Sequence, residues 1–61
     1  MKRVELVRLL NDHGCRIIRH GARHDIFLNP RNQRRAPVPR HREIPDSLVK
    51  IILKQLDLGN S

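Results

Sequence analysis

Two stretches of this chain repeat their apolar residues at helical intervals, and the segment between them does not. Val4, Leu6, Val7 and Leu10 recur every three to four residues, with Arg3, Glu5, Arg8 and Asp12 on the other side. That spacing predicts a short amphipathic helix over residues 2–12. Residues 11–14 end it, and Gly14 is placed for the left-handed conformation that closes helices. Further on, Leu48, Ile51, Ile52, Gln55 and Leu56 carry the same repeat while Lys50 and Lys54 face solvent. Pro45 suits the first turn of this second helix, and Asp46 is favourable near its positive end. Leu58-Gly59 is expected to close the fold, with Asn60-Ser61 fraying beyond it.

Between the helices the pattern shortens. Residues 15–20 are too few for a helix and centre on Ile17 and Ile18, and Gly21-Ala22 then makes a turn. Residues 23–28 alternate, with His24, Ile26 and Leu28 on one face and Arg23, Asp25 and Phe27 on the other. Residues 29–33 form a second turn, in which Pro30 breaks the strand and Asn32 can take a positive φ. Residues 34–38 read as a third strand, which Pro37 and Pro39 mark as an edge. A rigid basic connector over residues 39–43 follows. The expected fold class is α+β, in the order α-β-β-β-α: a three-stranded antiparallel sheet with two helices on one face. The other face, or its rim, is left to a partner.

Sixty-one residues are expected to form a single domain, residues 1–61, near the lower size limit for a self-supporting core. Phe27 is the sole aromatic residue, so the core must be built from Leu, Ile and Val. Little room is left for an enclosed pocket, and any enzyme on this chain works at an open surface on a large substrate. Lone Cys15 cannot form an intramolecular disulfide and reads as a small core residue. No apolar run approaches the ~18 residues of a membrane span. The expectation is a soluble protein of a reducing cytoplasm with no membrane partner. Four histidines and one cysteine show no ligand pair at helical or knuckle spacing, and no acidic cluster is present, so neither a metal nor another cofactor is expected. A glycine-rich phosphate loop and a Ser-His-Asp arrangement are also missing.

The charge is unevenly placed. Residues 1–15 carry a net +1 and residues 43–61 a net −1, whereas residues 16–42 hold eight arginines against Asp25 alone, a net +7. Such an unbalanced arginine run points to phosphate, which the planar guanidinium fork suits better than a lysine ammonium does. Within the run, residues 19–27 place Arg19, His20, Arg23 and His24 around the expected hairpin turn. Cutting RNA requires proton transfer from a 2′-hydroxyl, proton delivery to the leaving 5′-oxygen and stabilisation of the charged phosphorane. Imidazole can serve either proton step near neutral pH, and arginine supplies the charge. His24 is the candidate for either proton step; His20 is placed to orient it or touch phosphate. His41 is a candidate second acid, or else a group that fixes the connector. His13 reads as a helix-end residue.

Several segments together resemble the HicA family of bacterial toxins, small messenger-RNA interferases encoded beside a HicB-type antitoxin. They are the opening Val4-Glu5-Leu6-Val7-Arg8-Leu9-Leu10, the Asp12-His13-Gly14 helix stop, Gly21-Ala22-Arg23-His24-Asp25-Ile26-Phe27, Val38-Pro39-Arg40-His41-Arg42-Glu43-Ile44, and Leu48 to Leu58. The resemblance implies a double-stranded-RNA-binding-domain-like fold, endoribonuclease activity on mRNA, and one catalytic histidine on the second strand, which falls on His24. Arg19, Arg23, Arg40, His41 and Arg42 are the expected RNA-binding residues. The implied partners are mRNA and a HicB-type antitoxin, with DNA reached only through the antitoxin complex. The alternative is a non-catalytic double-stranded-RNA-binding module, which the charge map fits equally well. A helix-turn-helix DNA binder fails on spacing, because about thirty residues of strand pattern separate the two helices.

Overall fold

The structure, a computed structural model, describes residues 1–58. Its elements run α1 (Arg3–Asp12), β1 (Arg16–His20), β2 (His24–Asn29), β3 (Arg34–Pro39) and α2 (Asp46–Gln55). The strands form one antiparallel sheet in the order β1-β2-β3, so the proline-bearing β3 is an edge, as expected. Gly14 closes α1 at φ 84°, and the ring of His13 donates from Nδ1 to the carbonyl of Leu9 at 2.9 Å. Pro45 stands immediately before α2 rather than within its first turn. In the β2–β3 turn the positive φ falls on Gln33 (64°), not on Asn32. Asn32 uses its side chain instead: Nδ2 donates to Leu56 O at 3.2 Å, and Oδ1 accepts from Arg34 N at 2.9 Å.

Both helices pack on the face of the sheet that carries Asp25, Phe27 and Asn29. Leu6, Leu10, Phe27, Ala36, Val38, Ile44, Ile52 and Leu56 are almost completely buried there, joined by Cys15 and Val49. Two expectations about the helices need correction. Val4 is 62% exposed, and Ile51 is 51% exposed, while Val49 lies inside. A helix turns about 100° per residue. The buried stripe of α1 runs through Leu6 and Leu10, which leaves Val4 nearly opposite. The stripe of α2 runs through Val49, Ile52 and Leu56, which rotates Ile51 out to solvent.

Strand β1 departs from its apolar appearance, since all five of its residues are exposed, Ile17 and Ile18 included. The helices cover β2 and β3 and stop short of it. Its register also jumps: Ile17 pairs with Phe27, but Arg19 pairs with Ile26 and His20 with Asp25, so Ile18 forms a bulge. The extra residue reverses the alternation, as bulges do. Arg19 is thereby placed on the open face and His20 on the helix side.

The basic connector is held by the start of the chain. Arg3 N donates to Arg42 O at 2.9 Å and Ile44 N to Met1 O at 2.8 Å, flanking a bridge between Lys2 and Glu43. Buried Ile44 anchors this pairing from below. At the far end of the sheet, buried Asn29 donates from Nδ2 to Leu56 O at 2.9 Å and ties β2 to the end of α2. Leu58 packs against the core as part of the closure expected there; Gly59 and the expected fraying of Asn60-Ser61 lie outside the described residues.

Candidate active site

His24 is the first residue of β2, exposed, on the sheet face away from the helices. Its position depends on a tight return of the chain, in which Gly21 N donates to His24 O at 2.8 Å. A Cβ at position 21 would stand 2.9 Å from that same oxygen, closer than real side chains allow, so only glycine permits the return. A shallow open depression of about 380 Å³ lies here, lined by Arg19, Gly21, Ala22, Arg23, His24, Ile26 and Pro37. The bulge at Ile18 is what brings Arg19 to it. Among the described residues, neither His24 nor the guanidinium groups of Arg19 and Arg23 has a side-chain hydrogen bond or ion-pair partner. An imidazole and two cations are thus left open to an incoming group.

Behind the turn stands Asp25, the one acid of the basic segment and almost fully buried. Its Oδ2 accepts from Arg3 at 2.6 Å, and its Oδ1 accepts from Arg40 Nη2 at 2.7 Å and Arg40 Nε at 3.1 Å. His20 also donates to Oδ1 from Nδ1, at 3.0 Å. The hydrogen bond from Arg40, the bond from His20 and the two positive charges hold the Asp25 carboxyl well below the usual carboxylate range, against the opposing effect of burial. An ionised carboxylate only accepts, so in this contact the His20 ring is the donor.

Arg40 braces the turn, and Arg3 the end of β3 beside it. Arg40 Nη2 donates to Gly21 O at 2.7 Å and Nη1 to Ala22 O at 3.4 Å, while Arg40 N donates to Arg23 O at 3.3 Å. Arg3 Nε donates to Pro39 O at 2.9 Å. Asp25 therefore links α1, the β1–β2 turn and the end of β3 directly beneath His24. The bond to Asp25 raises the pKa of Arg40 further.

The structure brings Arg19, Arg23 and His24 together, and it sets the other expected residues apart. Arg40 has its guanidinium committed to Asp25 and to turn carbonyls. His20 lies on the opposite side of the sheet from His24, bonded to Asp25 and not aimed at its neighbour. His41 is exposed and makes no hydrogen bond with a described residue, so it does not fix the connector. Arg42 lines a separate depression of about 480 Å³ with Lys2, Arg3, Val4 and Val7. Cys15 is buried as expected, and burial pushes its thiol pKa up, away from the nucleophilic thiolate. Among the described residues, no three His, Cys, Asp or Glu side chains are grouped so as to hold a metal ion.

Sequence reasoning missed Asp25 and Arg3 as parts of this site. The signal for Asp25 was its solitude: a lone acid among eight arginines is in demand as their counter-ion. Arg3 had no such signal, because its partner lies 22 positions away.

Comparison with curated proteins gives no match, and comparison with solved structures gives none either. A family model described as HicA toxin of bacterial toxin-antitoxin matches residues 4–58, from the first turn of α1 to beyond the end of α2. The chain belongs to the HicA family of toxins, whose members work against an antitoxin partner.

Proposed function

We propose that this toxin is an endoribonuclease that cuts messenger RNA at His24 without a metal ion. The observation that carries the reading is the exposed imidazole of His24, unpartnered among the described residues and lining one open depression with Arg19 and Arg23. In the proposed step His24 takes the proton of a ribose 2′-hydroxyl. The 2′-oxygen then bonds to phosphorus, and the bond from phosphorus to the 5′-oxygen breaks. The 5′-oxygen leaves with a proton returned from the imidazolium. Arg19 and Arg23 stabilise the charge that builds on the phosphorane oxygens. The products are a 2′,3′-cyclic phosphate and a free 5′-hydroxyl.

Asp25 is the carboxylate nearest this site in sequence, and it is already shared by two guanidinium groups. Metal-bridged hydrolysis would need carboxylates free to place ions, which supports the metal-independent route. Arg40, expected from sequence to hold phosphate, acts in this reading through the turn it braces. Arg42 and His41, exposed on the connector, extend the positive field that draws RNA in. An open site of this kind is silenced by a protein that covers it, here a HicB-type antitoxin acting in the cytoplasm, and DNA is reached only through that complex.

The deciding experiment compares wild type with His24→Ala on a labelled RNA, with product ends mapped and with chelator present. Cleavage by wild type in chelator, cyclic-phosphate ends and silence of the variant are the expected results. Undiminished binding with no cleavage by wild type would instead identify a non-catalytic RNA-binding module.

A further inference from the structure

The open face of the sheet carries more than the His24 depression. The register sets Arg16, Leu28 and Arg35 side by side across the three strands, and sets Arg19, Ile26 and Pro37 in the next row. His24 and Pro39 follow at the end of the sheet. From the His24 row to the Arg16–Arg35 row is four residues along β2, about 13 Å at strand rise. Arg16, Arg19 and Arg35 are exposed, and none forms an ion pair with a described residue. Among the described residues no carboxylate lies on this face, because Asp25 points to the helices. Leu28 is only 9% exposed although no helix covers it, and the aliphatic stems of Arg16 and Arg35 stand on either side of it in register.

We infer that this face is a single-stranded RNA track running from Arg16 and Arg35, across Ile26 and Pro37, to His24. The inference rests on RNA being the substrate, and it adds Arg16 and Arg35 to the residues that hold it. The chemistry of the face fits an unpaired strand. Three cations in two rows follow a flexible phosphate backbone, and the apolar floor of Ile26 and Pro37 receives base faces rather than base edges. Proteins that hold single strands combine a cationic groove with stacking surfaces. Here the only aromatic ring, Phe27, is buried on the opposite face. Stacking therefore falls to the guanidinium planes, which take bases as aromatic rings do. The shape of the face points the same way. A rigid A-form duplex meets proteins through the ridges beside its grooves, and an open sheet face with cations on both edge strands suits a ribbon laid across it.

The test uses the His24→Ala protein, which cannot consume its ligand, and a fluorescent 12-nucleotide 2′-O-methyl RNA of mixed sequence. Arg16→Ala and Arg35→Ala should each weaken binding about tenfold at low salt. Each should also flatten the salt dependence by about 0.7 in log–log slope, the value for one lost phosphate contact on a single strand. Arg8→Ala and Lys54→Ala, which remove equal charge from the two helices, should change affinity less than twofold. A blunt RNA duplex should compete poorly. Circular dichroism confirms the fold of each exposed-site variant. The track is overturned if Arg16→Ala and Arg35→Ala match the helix variants. Tighter binding of the duplex, lost on changing Arg8 or Lys54, overturns it too and moves RNA to the helices. In either case, cleavage by the wild-type protein leaves the nuclease reading standing. A wild type that neither binds nor cuts RNA overturns both.

Discussion

Strand β2 presents two faces made from alternate residues of one six-residue segment, and they follow opposite rules. On the helix side stand Asp25, Phe27 and Asn29, all at most 5% exposed, and every polar atom among them has a partner. On the other side stand His24, Ile26 and Leu28, flanked by arginines that pair with no described carboxylate. Five of the arginines divide along the same line. Arg3 and Arg40 are held by Asp25, whereas Arg16, Arg19 and Arg35 are left to the solvent. Burial demands that charge be neutralised within the chain. An open face carries no such demand, and charge that stays unpaired there is available to a ligand.

The sharpest way to break this comparison is to remove the ring at its buried centre. Phe27→Ala should cost ~3–5 kcal/mol, against a total on the order of 3–9 kcal/mol for a chain of this length. Urea denaturation should show it largely unfolded, while Ile26→Ala on the neighbouring, half-buried position loses clearly less. Comparable losses at both positions would mean that the open face is also packed.

His24→Ala comes next in size and acts on activity alone. RNA cleavage should fall by ~10²–10⁴, the usual contribution of a proton-transferring group. Stability should stay within ~0.5 kcal/mol, as befits an exposed side chain. A large drop in thermal midpoint would assign His24 a structural part instead.

Asp25 sharpens the comparison through pH. Its folded pKa lies below the unfolded value of ~3.9, so its contribution is fully present above that value and is lost as pH falls below it. Wild type should therefore exceed Asp25→Asn in thermal midpoint at pH 6–7, and the gap should narrow steadily below about pH 4. A gap that stays constant down to pH 2 would show that shape, not charge, holds Arg3 and Arg40. Arg40→Lys should reduce cleavage while leaving RNA affinity nearly unchanged, because one ammonium cannot brace Asp25 and the turn carbonyls together.

The smallest effects are expected at the apolar residues the helices leave outside. Val4→Thr and Ile51→Thr should each alter stability by less than ~0.5 kcal/mol in the same denaturation assay. A larger loss in a sample concentrated enough to self-associate, absent on dilution, would mark these positions as covered by another chain.

The order of elements and the family were legible because they depend on neighbours in sequence. The two helical segments, the glycine stop at Gly14 and the edge prolines of β3 are local signals, and each appears where the pattern put it. Reading which apolar residues go inside was harder. Val4 and Ile51 fit the helical repeat as well as their buried neighbours do, and only the direction of packing separates them. The positive φ at Gln33 is of the same kind, since Asn32 was claimed by a carbonyl at the end of α2.

By itself, the sequence determined that a basic, arginine-rich hairpin with His24 at its turn would stand between two amphipathic helices. Composition and periodicity suffice for that, because charge sums and helical stripes survive any arrangement of the parts. The tertiary structure alone decided which arginines are free. Arg3 and Arg40 reach Asp25 from 22 and 15 positions away, and one bulged residue at Ile18 sends Arg19 to one face and His20 to the other. A carboxylate can satisfy only the cations that folding brings within hydrogen-bond reach. Which cations those are depends on register and packing, and these are fixed only when the sheet and helices close together.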